Sequence, residues 1–141
     1  MDGPVLASRV ANALVEDARL DLSPEVAGAL GAAGLAPPPG VEAVLDRFRD
    51  HFGGMWVGGR VTLTPTTYRF RPNAINRTVQ SGTLEFEVPT EAIGDVELQP
   101  GFATRIVAVR VGDKVVKVRC YGAAKLAAAI RAAAAEARGT A

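Results

Sequence analysis

Three arginines in the middle of the chain are the residues best suited to chemistry with an anion. Arg60 is followed, after eight residues, by Arg69-Phe-Arg71, and both segments alternate apolar and polar side chains as half-buried strands do. Alternation places all three arginines on the outer face of neighbouring strands. A guanidinium group binds phosphate through two parallel hydrogen bonds. The pattern therefore predicts an anion-binding surface formed by Arg60, Arg69 and Arg71.

Two acids on the next predicted strand offer a second interpretation of these arginines. Glu85 and Glu87 should share the same outer face, where opposite charges on adjacent strands form ion pairs. Ion pairing is the more common use of surface charge, and exposed pairs contribute little to stability. Both interpretations stay open from the sequence.

A second basic group is predicted on the outer face of the last hairpin. Its members, Arg110, Lys117 and Arg119, either add attraction to an anionic membrane, at about 1 kcal/mol per basic residue, or only keep the surface soluble. The net charge of +1 hides an acidic segment before residue 54, with 4 Arg against 8 Asp and Glu, and a basic remainder, with 12 Lys and Arg against 7 Asp and Glu. This excess is modest, and no exposed aromatic residues interleave with it to stack on bases. We therefore expect no nucleic-acid partner.

Groups suited to catalysis are sparse in this sequence. His51 is the single histidine, and no nucleophile lies at a recognisable spacing from it. It fits better at the C-terminus of a helix, where its protonated form interacts favourably with the helix dipole. Cys120 is the single cysteine and falls on the predicted inner face of a strand, which is typical of a small core residue. We expect a protein that is not an enzyme and that uses no metal and no cofactor.

Two helices and a spacer are predicted before residue 41. Apolar side chains at Leu6, Val10, Ala13, Leu14 and Leu20 have near-helical spacing, which predicts a first helix over 4–20. A short second helix is expected between a capping Ser23 and Gly34. The proline-rich residues 36–40 cannot continue a helix and favour an extended spacer.

A third helix is predicted from residue 41 to a stop at Gly53-Gly54. Its apolar side chains recur at the spacing of one helix face, and they are Val41, Val44, Leu45, Phe48 and Phe52. This stripe should not remain exposed in a monomer. It either docks on the rest of the chain or joins a second copy or a partner.

After residue 54 the apolar period changes from 3.6 to 2, which predicts a β meander. The strand candidates are 60–64, 68–72, 83–88, 93–98, 105–111 and 114–121. A two-residue turn at Gly112-Asp113 pairs residue 111 with 114 and residue 109 with 116. This register places the apolar residues of both strands on one face: Val107, Val109, Val111, Val116, Val118 and Cys120.

The chain ends in a predicted alanine-rich helix over 123–138, expected to pack over one opening of a barrel. Residues 73–82 carry Ile75 and Val79 among polar side chains. They either cover a barrel edge or dip into a bilayer.

The order of these elements resembles the pleckstrin-homology superfold, and in particular its GRAM-like bacterial members. The resemblance covers about 56–130 and is carried by Gly59-Arg-Val-Thr-Leu-Thr64, Tyr68-Arg-Phe-Arg-Pro72, Val88-Pro89 before Ile93, Val96 and Leu98, and Gly101-Phe-Ala-Thr-Arg105. It implies an α+β, mainly β fold, in which an antiparallel barrel of six to seven strands is capped by a C-terminal helix. The barrel is expected over 54–141, and a helical N-terminal extension over 1–53. The seventh strand is expected at 54–57 or within 73–82.

The resemblance implies a binding module for anionic lipid head groups or membrane surfaces. An alternative is a protein-interaction or self-assembling adaptor, which is favoured by the helical extension and by the opposite charges of the two halves. The N-terminus lacks the basic start and apolar stretch of a signal peptide, so a cytoplasmic location is expected. A lipid-binding form would lie against the inner face of the membrane.

Overall fold

Seven strands and two helices make up the described part of the chain. The computed structural model describes residues 3–17, 40–52, 55–73, 85–101 and 104–139. In chain order these form β1 (Ala7–Asp17), α1 (Val41–Phe52), β2 (Val57–Leu63), β3 (Thr67–Pro72), β4 (Phe86–Pro89), a 3-10 turn (Thr90–Ala92), β5 (Asp95–Gln99), β6 (Arg105–Val111), β7 (Lys114–Cys120) and α2 (Ala123–Gly139). The predicted class, α+β and mainly β, is confirmed.

The strands form a single antiparallel sheet in the order β4-β3-β2-β1-β7-β6-β5. β1 lies at its centre, because residues 7–13 pair with β2 and residues 12–17 pair with β7. The sheet curls into a half-barrel, and its inner face holds nearly all of the buried apolar side chains. An outer face is left on which polar side chains of adjacent strands meet.

The first helix predicted over 4–20 is wrong, because residues 7–17 form β1. Alanine is a strong helix former and is disfavoured in strands, so Ala11 and Ala13, which are buried on the inner face, favoured a helix over a period of 2. Val10 and Leu14 lie on the opposite face and completed an apparent helical stripe. Pairing along both edges of β1 outweighs this weak local preference. β1 is also the seventh strand, which the sequence placed instead at 54–57 or within 73–82.

Several other sequence predictions fall outside the described residues. These are the second helix over 23–34, the extended spacer apart from Gly40, and the loop over 73–82 apart from Asn73. Within the sheet, β5 begins at residue 95 rather than 93, because a 3-10 turn occupies 90–92.

Helix α1 has the predicted bounds and packs on the inner face of the sheet. Leu45 and Phe48 are fully buried there, and the Phe48 ring meets Phe70 and Phe86 edge-to-face, with centroid distances of 5.9 and 5.2 Å. The rest of the predicted stripe consists of Val41 and Val44, which are partly buried in the same contact, and Phe52, whose side chain is not described. Of the two expected destinations for the stripe, the structure therefore shows docking on its own chain.

The β6–β7 hairpin has the predicted register, with residue 111 opposite 114 and residue 109 opposite 116. Helix α2 then crosses the inner face and buries Leu126 and Ile130. Two arginines of α2 donate hydrogen bonds to backbone carbonyls in and just before β5. Arg131 donates to the carbonyl of Val96 at 2.8 Å, and Arg138 donates to the carbonyl of Ile93 at 2.6 Å. No helix in the described ranges is long and apolar enough to cross a membrane.

Candidate anion-binding site

The three predicted arginines share the outer face of β2 and β3, as the alternation requires. Arg60 lies directly opposite Arg71, and Arg69 lies opposite Thr62 on one side and Glu87 on the other. We call the surface formed by Arg60, Arg69 and Arg71 the arginine face. Two like charges thus occupy one cross-strand pair, an arrangement that is destabilising unless an anion offsets it.

The close approach of β2 and β3 depends on Gly59. A Cβ atom at this position would lie 2.2 Å from the carbonyl oxygen of Arg71 and 2.7 Å from Cζ of Phe70. Only glycine therefore lets the Phe70 ring fill the core while Arg71 stays in register with Arg60. The buried residues Val61 and Tyr68 hold the same two strands from the inside.

The ionic partners of the arginine face are unequal. Nε of Arg71 donates to Oε2 of Glu85 at 2.7 Å, so the ion-pair interpretation is confirmed for this residue. Nη1 of Arg60 donates instead to the neutral Oγ of Ser8 at 2.9 Å. One formal charge of the cross-strand pair is therefore offset, and the other is left without a carboxylate among the described residues.

A groove of about 540 Å³ opens beside this pair of arginines. Gly58 contributes no side chain to it and lies between Asn12 of β1 and Asn73, whose backbone N–H donates to the carbonyl of Gly58 at 3.0 Å. The full lining consists of Val10, Ala11, Asn12, Gly58, Gly59, Arg60, Arg71, Pro72 and Asn73. Two guanidinium groups and the side-chain amides of Asn12 and Asn73 therefore border one open site, and such donors suit an anion.

Three of these groove residues come from β1 and were missed from the sequence. Val10, Ala11 and Asn12 were assigned to a helix remote from the arginines. Strand pairing brings Val10 opposite Arg60 and Asn12 opposite Gly58. No local pattern in residues 7–17 marks a strand, so only the pairing of β1 with β2 reveals them.

The second basic group has the predicted outward placement, but each member has a partner. Arg110 lies 3.6 Å from Asp95, and Nζ of Lys117 lies 2.8 Å from Oε2 of Glu16. The guanidinium of Arg119 lies over the Trp56 ring, 5.0 Å from its centroid, a cation–π geometry. We call the surface of Arg110, Lys117 and Arg119 the hairpin face.

One further ion pair lies under helix α1. The Lys114 side chain is 4% exposed, and its Nζ lies 2.8 Å from Oδ1 of Asp46. Lys114 points inward because it lies two residues before the buried Val116 on β7, and side chains two residues apart on a strand share a face. The half-exposed carboxylate of Asp46 thus neutralises a buried lysine.

The remaining reactive side chains are core residues. Cys120 is 3% exposed, and burial raises the pKa of its thiol, an effect that the positive charge of Arg9 partly opposes. Burial also raises the pKa of the Tyr68 hydroxyl far above its ordinary value, with a smaller effect of Cys120. The side chain of His51 lies outside what is described. Within the described ranges, no three His, Cys, Asp or Glu side chains are grouped to hold a metal ion.

No known protein family matches this sequence, and no curated protein is significantly similar to it.

Proposed function

We propose that this protein is a non-catalytic binding module that holds a phosphate or similar anionic group on the arginine face. The observation that carries this function is the direct opposition of Arg60 and Arg71, of which only Arg71 has a carboxylate partner within the described ranges. An anion bound between the two guanidinium groups would remove their repulsion and gain charge-assisted hydrogen bonds.

The resemblance to the pleckstrin-homology superfold supports the same function. That superfold has seven strands followed by a terminal helix, and the described part of this chain has seven strands in one antiparallel sheet followed by α2. GRAM-like members of that superfold would make anionic lipid head groups the natural ligands. Assignment to that superfold is part of the proposal.

Charge reversal tests the anion site directly. Arg60→Glu with Arg71→Glu is expected to weaken binding to phosphatidylserine-containing vesicles at least about thirtyfold, because each lost basic residue removes about 1 kcal/mol of attraction. Arg47→Glu with Lys125→Glu is the matched control. It makes the same change of charge at two exposed residues on the helices. Equal binding by the arginine-face variant and the natural chain would show that the arginine face is not the anion-binding site.

A protein-interaction function is the second candidate, and a second groove favours it. This groove, of about 530 Å³, lies between the β2–β3 turn, the 3-10 turn and the end of α2. Its lining is largely apolar and includes Leu6, Pro65, Pro89, Ala133 and Ala137. If a second copy occupies it, sedimentation equilibrium should show dimers that Leu6→Asp dissociates. A monomer at every concentration would remove the self-assembling form.

A further inference from the structure

Two exposed apolar side chains stand beside the arginine face. Val10 is 71% exposed and Tyr121 is 74% exposed, which makes them the most exposed large hydrophobic residues in the described ranges. A single exposed valine or tyrosine is ordinary on a protein surface. Their position relative to the arginines decides whether they serve a function.

Val10 belongs to the same row of side chains as the two opposed arginines. It is the cross-strand partner of Arg60, which is in turn the partner of Arg71. Neighbouring strands lie about 4.8 Å apart, so the row changes from apolar to cationic from one strand to the next. Val10 also lines the groove that opens beside Arg60 and Arg71.

Tyr121 lies on the far side of Val10 from the arginines, at the end of β7. The pairing of β1 with β7 ends at Asn12 and Arg119, and Tyr121 follows in the turn between β7 and α2. This turn stays close to β1, because a Cβ atom added to Gly122 would lie 3.1 Å from Nε of Arg9. Val10, Arg60 and Arg71 therefore follow one another across the outer face, with Tyr121 in the neighbouring turn.

We propose that Val10 and Tyr121 are apolar anchors that enter an anionic bilayer surface while Arg60 and Arg71 bind its phosphates. This role rests on the anion-binding function proposed above, and it identifies the bound anion as the phosphate of a membrane lipid. A bilayer presents phosphates directly above apolar acyl chains, so it can bind cationic side chains and bury apolar ones at the same surface. Tyrosine suits such a boundary because its ring is apolar and its hydroxyl is polar. A small soluble phosphate compound would leave both apolar side chains in water.

Removal of the anchors tests this role. Val10→Thr with Tyr121→Ser keeps every charge and is expected to weaken partitioning onto vesicles of phosphatidylserine and phosphatidylcholine about tenfold, because apolar area no longer leaves water. The salt dependence of the residual binding should stay the same, since the cations are untouched. Met55→Ser is the matched control, because Met55 is 65% exposed but lies five residues before Arg60. Unchanged partitioning of the double variant would overturn the anchors.

A fluorescent label reports on the contact itself. Val10→Cys can be labelled selectively, because Cys120 is buried and its thiol pKa is raised. An environment-sensitive dye at residue 10 should shift to shorter wavelength on anionic vesicles, and the same dye on Met55→Cys should not. Vesicle-bound protein with an unshifted dye at residue 10 would overturn the anchors.

The arginine variant separates the anchors from the site on which they depend. Full vesicle binding by Arg60→Glu with Arg71→Glu overturns both. Loss of binding in that variant, together with full binding by Val10→Thr with Tyr121→Ser, overturns the anchors alone. Binding of inorganic pyrophosphate by the natural chain, without any binding to vesicles, also overturns the anchors and leaves the anion site standing.

Discussion

The arginine face and the hairpin face lie on the outer side of the same sheet and carry three basic residues each, yet they differ in how those charges are satisfied. On the hairpin face, Arg110 and Lys117 have carboxylate partners and Arg119 has an aromatic ring. On the arginine face, Arg60 and Arg71 oppose each other, and of these two only Arg71 has a carboxylate partner among the described residues. The availability of a surface charge is therefore set by its cross-strand neighbours rather than by its residue type.

A substitution at Gly59 should break the arginine face with the largest effect. Gly59→Ala would place a Cβ atom 2.2 Å from the carbonyl oxygen of Arg71, so β3 must move away from β2. We expect a loss of about 1–3 kcal/mol in the free energy of unfolding, as for other overpacked sites, and a parallel loss of anion binding. Urea unfolding and vesicle sedimentation measure the two effects.

Hydrogen exchange gives the control for that substitution. Amide protection should fall in β2 and β3 and persist in the β6–β7 hairpin, whose register does not involve Gly59. Equal loss of protection in all these strands would show that the two faces are not independent.

The buried lysine extends the comparison to the inner side of the hairpin. Asp46→Ala should destabilise the chain by about 1–2 kcal/mol. This is below the usual cost of leaving a buried charge unpaired, because the Asp46 side chain is itself 44% exposed. Lys114→Met should cost less, since it removes the buried charge together with its partner interaction. Thermal unfolding of both variants measures the difference, and a larger loss in Lys114→Met would contradict the stated role of Asp46.

The hairpin face should acquire anion affinity once its cations are released. Asp95→Asn with Glu16→Gln removes the partners of Arg110 and Lys117 and should change stability by less than about 1 kcal/mol. Binding to phosphatidylserine vesicles should rise severalfold at low salt, because two cations become available. Unchanged binding in vesicle sedimentation would mean that ion pairing is not what prevents this face from binding anions.

A small effect is expected beneath the arginine face. The Tyr68 hydroxyl is buried without a hydrogen-bond partner in the described structure, so Tyr68→Phe should stabilise the fold slightly or leave it unchanged. Because the pKa of this hydroxyl is raised in the folded chain, its contribution to stability is complete below the unfolded pKa of about 10 and is lost as pH rises above it. Tyr68→Phe should reduce that alkaline loss. Urea unfolding at neutral and alkaline pH tests both statements.

The strands of the second half could be read from the sequence because their two faces differ in chemistry. Val116 and Val118 alternate with Lys117 and Arg119, and the two-residue turn at Gly112-Asp113 fixes the register. Helix α1 was equally legible, since Leu45 and Phe48 lie on one face of an otherwise charged segment. In these elements local pattern and tertiary packing agree.

β1 could not be predicted in this way, and therefore the groove beside Arg60 and Arg71 could not be predicted either. Both of its faces carry small or apolar residues, so only its pairing with β2 and β7 distinguishes it from a helix. The three arginines were found because they follow the alternation of β2 and β3. The Ser8 partner of Arg60 and the groove residues Val10 and Asn12 all belong to β1. They could not be predicted, because no local pattern identifies β1 as a strand.

Neutralising two cations on each face in turn tests the central claim most directly. Arg60→Gln with Arg71→Gln and Arg110→Gln with Lys117→Gln remove the same charge, and each is compared with the natural chain for sedimentation with phosphatidylserine vesicles at low and physiological salt. We expect the first variant to lose binding and the second to bind with the affinity and salt dependence of the natural chain. Equal losses in the two variants would show that net charge alone governs binding, and the distinction between the arginine face and the hairpin face would be wrong.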